Sequence, residues 1–297
     1  MLHRSSLVLG SALLGLALYS VSACSGSSGP GFGAEDGGGG NPDVDGSTSG
    51  GLTGGDAGKS DSGGPSGPAE VFGHSDNTLY KLDPDTKAIA TIGTFKGCDD
   101  SVIDIALDAS GTIFGVTSSS LYKIDKATAS CSKIASGIFP NSLSFVPAGT
   151  LDPSSEALVG YDTADYVRID PTTGAKTTVK ANALPNGMYS SGDIVSVKDG
   201  PTYLTTRGTG CNATDCLLLV DPKTGSMIKN EGAVGFSSVF GLAFWAGTIY
   251  GFSSNGKLFS VSLAGGLKST EIKIPNAPNG LSFYGAGSTT SAPVGPK

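Results

Sequence analysis

Charge is scarce in this chain. Asp, Glu, Lys and Arg make up 15% of its 297 residues, for a net charge of −7 at pH 7. Residues 70–297 carry −3 and the first 69 residues carry −4. The long C-terminal part is therefore nearly neutral, and it has no basic stripe of the kind nucleic acid needs. Histidine occurs twice, at His3 and His74, and tryptophan once. No apolar run reaches the roughly 20 residues of a membrane-spanning helix. No Gly-x-Ser-x-Gly elbow occurs, and no base lies close to a serine, which sets aside a hydrolase triad. No Cys-x-x-Cys pair occurs and no histidine lies near a cysteine, which argues against a zinc site. What is abundant is glycine, 46 residues of it, together with Ser and Thr. That composition favours short strands joined by tight turns.

The first residues, Met1-Leu-His-Arg4, precede an apolar run from Leu7 to about Tyr19 and then Val21-Ser22-Ala23-Cys24. A basic start, a short apolar stretch and small residues at its end predict an export signal over residues 1–23. Val-Ser-Ala-Cys resembles the bacterial lipobox. The resemblance implies that Cys24 carries the lipid and becomes the new N-terminus, with the membrane as partner and the cell envelope as location. Ser25 after it, by the sorting rule of that family, points to the outer membrane. Residues 24–68 then read as a disordered tether. Seventeen glycines and one aromatic, Phe32, fall between residues 25 and 69, too little apolar surface to offset ordering. Such a coil spans about 35–40 Å. Gly29-Pro-Gly31-Phe-Gly-Ala34 matches a dinucleotide fingerprint, but it lacks the strand–loop–helix setting that the motif requires.

From Ala69 onward one phrase recurs: Leu79-Tyr-Lys-Leu-Asp83-Pro, Leu121-Tyr-Lys-Ile-Asp125-Lys, Tyr166-Val-Arg-Ile-Asp170-Pro, Leu218-Leu-Val-Asp221-Pro and Leu258-Phe-Ser-Val-Ser262-Leu. The last-named strand ends are 42, 45, 51 and 41 residues apart. A period of about 40–50 residues without helical patterning predicts propeller blades. A second hairpin precedes each phrase, as in Asp104-Ile-Ala-Leu107 turning into Thr112-Ile-Phe-Gly-Val116. We expect an all-β fold over residues 69–286, a five-bladed β-propeller of four-stranded antiparallel blades. The first repeat lacks its innermost strand, and Asn279-Gly-Leu-Ser-Phe-Tyr284 is expected to supply it from the C-terminus. Closure of this kind removes exposed strand edges. A sixth, degenerate blade within 170–221 is the competing reading, and residues 287–297 read as a disordered tail.

Four cysteines accompany Cys24, an even number suited to an oxidising compartment. Cys211 and Cys216 bracket a hairpin loop and predict a local disulfide. Cys98 and Cys131 then pair by elimination, although a strand-based layout puts them near opposite ends of a strand, about 15 Å apart. His74 falls in an expected loop and reads as a solvated side chain.

Aligned inner strands put Asp104, Ser142, Asp193, Gly241 and Gly280 in one ring, with Ile103, Asn141, Gly192, Phe240 and Asn279 one residue earlier. Two carboxylates and two carboxamides thus converge at one mouth of the channel. Asp104, Asp193, Asn141 and Asn279 form an oxygen-donor set suited to Ca²⁺ or Mg²⁺. With Ser142, they could equally hold a polar small molecule or ordered water. Pro278-Asn-Gly-Leu-Ser-Phe283 and Pro140-Asn-Ser-Leu-Ser-Phe145 resemble the inner-strand phrase of gluconolactonase-type propellers, which implies metal-ligand roles for Asn279 and Asn141. The chain departs from that family in blade number, in the N-terminal Glu ligand and in the general base. The expected role is a cell-envelope module that binds a protein, a small molecule or a glycan. The alternative is a metal-dependent, lactonase-like hydrolase acting through the channel carboxylates.

Overall fold

The computed structural model describes residues 69–211 and 213–295. The export signal, Cys24 and the Gly-rich segment up to residue 68 lie outside the described residues. All regular structure among the described residues is β, in five four-stranded antiparallel sheets. Blade 1 contains β1 (Val71–His74), β2 (Thr78–Leu82) and β3 (Ile89–Thr94). Blade 2 contains β4 (Asp104–Leu107), β5 (Ile113–Val116), β6 (Ser120–Ile124) and β7 (Cys131–Ser136). Blade 3 has β8 (Leu143–Val146), β9 (Ala157–Asp162), β10 (Asp165–Ile169) and β11 (Lys176–Lys180). Blade 4 has β12 (Met188–Ser196), β13 (Thr202–Gly208), β14 (Cys216–Val220) and β15 (Met227–Ala233). Blade 5 has β16 (Val239–Trp245), β17 (Thr248–Ser253), β18 (Leu258–Ser262) and β19 (Lys268–Ile272). The last strand, β20 (Gly285–Ser288), pairs with β1 and completes blade 1. The chain is a five-bladed β-propeller.

The recurring phrase is the third strand of each blade, and its Asp builds the next turn. Asp83 accepts N–H bonds from Asp85 and Thr86, Asp125 from Ala127 and Thr128, and Asp170 from Thr172 and Thr173. Four residues after each Asp the backbone turns left-handed, at Lys87, Ala129 and Gly174. These turns account for the regular spacing. The long interval 170–221 holds no sixth blade. Its extra length goes into nine-residue β12, seven-residue β13 and the loop closed by Cys211–Cys216.

Two boundaries differ from the sequence expectation. The closing strand is Gly285–Ser288, not Asn279–Tyr284: Asn279 and Gly280 form an exposed turn, and Phe283 is buried against Tyr80 and Phe252. Nor do residues 287–297 read as a loose tail over their described part. Thr289, Thr290 and Ala292 are buried, and Glu70 N–H and Thr289 Oγ1 join the two ends of the domain.

Both disulfides form, with S–S distances of 2.01 Å for Cys98–Cys131 and 2.39 Å for Cys211–Cys216. The 15 Å objection fails because Cys98 does not follow its own blade. After β3 the chain crosses to the outer strand of blade 2, where Lys96 bridges Ser130 in parallel and the Cys98 and Cys131 Cα atoms lie 5.3 Å apart. Apolar clusters span adjacent blades, and polar links join them as well. Glu70 of blade 1 meets Lys126 of blade 2, and Tyr161 and Tyr166 of blade 3 donate to the Gly225 and Pro222 carbonyls of blade 4.

Candidate functional site: the channel mouth and the axial layer

The inner strands place two layers of side chains about the axis. The outer layer rims the mouth: Ile103, Asn141, Gly192, Phe240 and Tyr284 surround a cavity of about 190 Å³. Four of these were expected from sequence. Tyr284 occupies the place assigned to Asn279, because the closing strand begins five residues later than the Pro-Asn-Gly-Leu phrase suggests. The mouth is consequently more aromatic and less polar than expected. The Phe240 and Tyr284 rings lie 6.3 Å apart, and Tyr284 is 40% exposed.

One residue deeper stand Asp104, Ser142, Asp193, Gly241 and Gly285. Asp104 and Asp193 are fully buried. Each works as a bracket between blades. Asp104 accepts the N–H of Ile105 in its own strand (2.8 Å) and of Leu143 in blade 3 (2.6 Å). Asp193 does the same with Ile194 and with Leu242 of blade 5. Burial pushes both carboxyls well above the usual carboxylate range, and the nearby Asp104 adds to the rise at Asp193. Ser142 turns outward instead and accepts the N–H of Tyr161 (3.1 Å).

His74 was missed. It is the last residue of β1, wholly buried, rather than a solvated loop side chain. Its Nδ1 bonds the Ser75 carbonyl at 2.7 Å, which leaves Nε2 as a lone pair with no partner among the described residues. Burial lowers its pKa to about 4. A Cβ at Gly285 would fall 2.3 Å from His74 Nε2 and 2.5 Å from Asp104 Oδ1, so only glycine leaves room for both side chains beside this backbone. The signal available in the sequence was the run Val71-Phe-Gly-His74, which carries the strand through a position that reads as loop.

The four oxygen donors proposed for Ca²⁺ or Mg²⁺ do not converge. Asp104 and Asp193 lie in the buried layer with their oxygens taken by backbone N–H groups, Asn141 is on the rim, and Asn279 sits in an exposed turn that does not line the mouth. The residues present do not fit such a cation.

Beside the mouth, a groove of about 420 Å³ runs between blades 3 and 4. It shares Asn141 with the mouth and continues past Thr163, Tyr189, Ser190, Ser191 and Arg207. Its wall is irregular for a local reason. Ser190 pairs with Thr206 but Ile194 with Leu204, so Ser191, Gly192 and Asp193 face Thr205 alone. In this bulge the Asp193 N–H bonds the Thr205 hydroxyl (3.0 Å), which donates onward to the Val239 carbonyl (3.2 Å). Bulges of this kind re-aim side chains. Here the bulge turns Asp193 towards the axis and presses Gly192 against Phe240, where a Cβ would come within 2.6 Å of the Phe240 backbone.

No protein-family profile and no curated protein matches the chain. Its likeness is to solved folds. A chain of a nidogen/laminin complex is 14% identical, with a TM-score of 0.44 over 73% of this chain and 82% of that one. A symmetrical protein studied for its de novo evolutionary emergence is 16% identical, with a TM-score of 0.45 over 65% and 85%. BamB from Moraxella catarrhalis is 14% identical, with a TM-score of 0.35 over 68% and 64%. None of these likenesses bears on the chemistry of the mouth.

Proposed function

We propose that this chain is an exported, lipid-anchored binding module of the cell envelope, and that it recognises its ligand at the channel mouth. The observation that carries the reading is the mouth itself. Two aromatic side chains, an isoleucine and one exposed carboxamide ring a concave opening, the mix of apolar wall and few polar groups that ligand sites use. The carboxyls beneath are occupied in holding blades together, so recognition falls to the rim. Two disulfides support an oxidising compartment, and the lipobox resemblance at Cys24 supports the anchor. The end of β1 at Val71 lies opposite the mouth end at His74, so the chain enters the propeller on the face away from the site.

Two measurements test the proposal. Mass spectrometry of the N-terminal peptide should find a lipid on Cys24, and Cys24→Ser should move the protein from the membrane to the soluble fraction. A variant that stays with the membrane overturns the anchor. A thermal-shift screen of envelope small molecules should yield a ligand that stabilises the protein, with the shift lost in Tyr284→Ala and Asn141→Ala. Equal shifts in all three proteins would place recognition elsewhere.

A further inference from the structure

Three serine hydroxyls among the described residues are buried without a hydrogen-bond partner, those of Ser190, Ser191 and Ser269, and the first two are neighbours. Ser190 and Ser191 are 6% and 8% exposed, and neither Oγ has a hydrogen bond among the described residues. Native proteins satisfy most such groups, so each exception calls for an explanation. Both serines line the groove between blades 3 and 4, on the bulged start of β12. The backbone around them is already committed. Ser190 N–H donates to the Thr163 carbonyl (2.9 Å), and Thr163 is held left-handed with φ of 61°. A non-glycine residue held in that region stores strain, of a kind that gathers at binding sites. Next to the serines, Tyr189 is 44% exposed, and across Asn141 stands Tyr284 at 40%. Alone, the 190 Å³ mouth falls below the ~300–1,000 Å³ of ordinary ligand sites, whereas the 420 Å³ groove joined to it lies within that range.

We propose that the mouth and the groove form one elongated site for a saccharide, with Tyr284 and Tyr189 as stacking surfaces and Asn141, Ser190 and Ser191 as hydrogen-bonding partners. The proposal rests on the mouth being the recognition site and names the chemical class of its ligand. A pyranose ring offers a C–H face to a tyrosine and hydroxyls at its edge to amides and hydroxyls, which is the composition of this wall. A peptide would be held differently. Strand addition needs a free sheet edge, and each inner strand, although the last of its own sheet, is packed against the inner strands of the neighbouring blades. The charged groups at the groove do not favour an anion either, since Asp162 is exposed there and Arg207 is held by the buried Asp215.

The test uses the purified full-length protein with neutral tri- to hexasaccharides (β-1,4-glucose, β-1,4-mannose and β-1,4-N-acetylglucosamine series), with unmodified hexapeptides for comparison. Saturation-transfer NMR and calorimetry should detect at least one saccharide series. Tyr189→Ala and Ser191→Ala should weaken the hexasaccharide tenfold or more and leave the trisaccharide nearly unchanged, while Tyr284→Ala weakens both. Ser191→Ala removes an unsatisfied buried hydroxyl, so its melting temperature should not fall, which separates lost contact from lost fold. No binding in any series, or binding indifferent to Tyr189 and Ser191, overturns the proposal. If hexapeptides bind with Tyr284 dependence while saccharides do not, the saccharide assignment fails and the mouth survives. Saccharide binding that depends on Tyr189 but not Tyr284 instead refutes the mouth.

Discussion

Aspartate behaves in opposite ways at the outer turns and at the axis. Asp83, Asp125 and Asp170 each accept two backbone N–H groups in open water, and their hydrogen bonds hold them below the usual carboxylate range. Asp104 also accepts two backbone N–H groups, yet burial lifts it well above that range. The bonds are alike; access to water sets the sign. At the turns an ionised carboxylate organises a local loop that water would also solvate. At the axis the acid is held towards its neutral form, and its value lies in bonding strands from different blades.

Removing an axial bracket should have the largest effect. Asp193→Ala strands the buried N–H groups of Ile194 and Leu242, at a cost of about 3 kcal/mol and a melting temperature lower by roughly 6–12 °C. A loss of only a degree or two by calorimetry would mean the bracket is dispensable. Next comes Gly285→Ala, whose Cβ meets His74 and Asp104; overpacking of this kind costs about 1–3 kcal/mol. An unchanged melting temperature would show that the axial layer yields easily.

The pH dependence sharpens the contrast further. His74 is held at about 4 against a free value of 6.5, so the unfolded chain binds the extra proton and stability falls as pH drops from about 6.5 to 4. The axial carboxyls are raised, so their contribution is complete below about 3.9 and fades as pH rises through their folded values. These slopes oppose each other. His74→Gln should leave stability that declines with rising pH above about 4, and Asp104→Asn with Asp193→Asn should leave stability that climbs from pH 4 to 6.5. Identical profiles in urea titrations of both variants would refute the assignment. The smallest effect belongs to Asp125→Asn at the outer turn. Its stabilisation is present above about 3.9, is lost only as pH falls through its lowered folded value, and weakens with salt. A melting shift as large as that of Asp193→Ala would erase the distinction between turn and axis.

The blades were legible because their signal is local. Leu-Tyr-Lys-Ile-Asp125 carries its own alternation and its own turn chemistry, and five copies count themselves. The mouth was legible in four of its five residues for the same reason: Asp104-Ile-Ala-Leu107 and its aligned partners are strand-like. Closure was misplaced because its determinants are not local. Pro278-Asn-Gly-Leu-Ser-Phe283 copies the phrase before β8, whereas the strand that closes the ring is Gly-Ala-Gly-Ser, poor in strand-forming residues. Position 285 must be glycine to admit His74 and Asp104, a requirement set by residues 211 and 181 positions away. The burial of His74 and the unpartnered hydroxyls at the β12 bulge depend on the same long-range packing, and neither has a pattern in one strand.

The pairing of β1 with β20 on one side and β2 on the other also decides how the domain bears force. A pull on the chain ahead of Ala69 acts along β1, lengthwise between two partners, so the hydrogen bonds of both ladders are loaded together in shear. Peeling, which breaks them one at a time, would require the load to arrive from the side. A propeller held at that end meets extension with a strand that is paired on both sides.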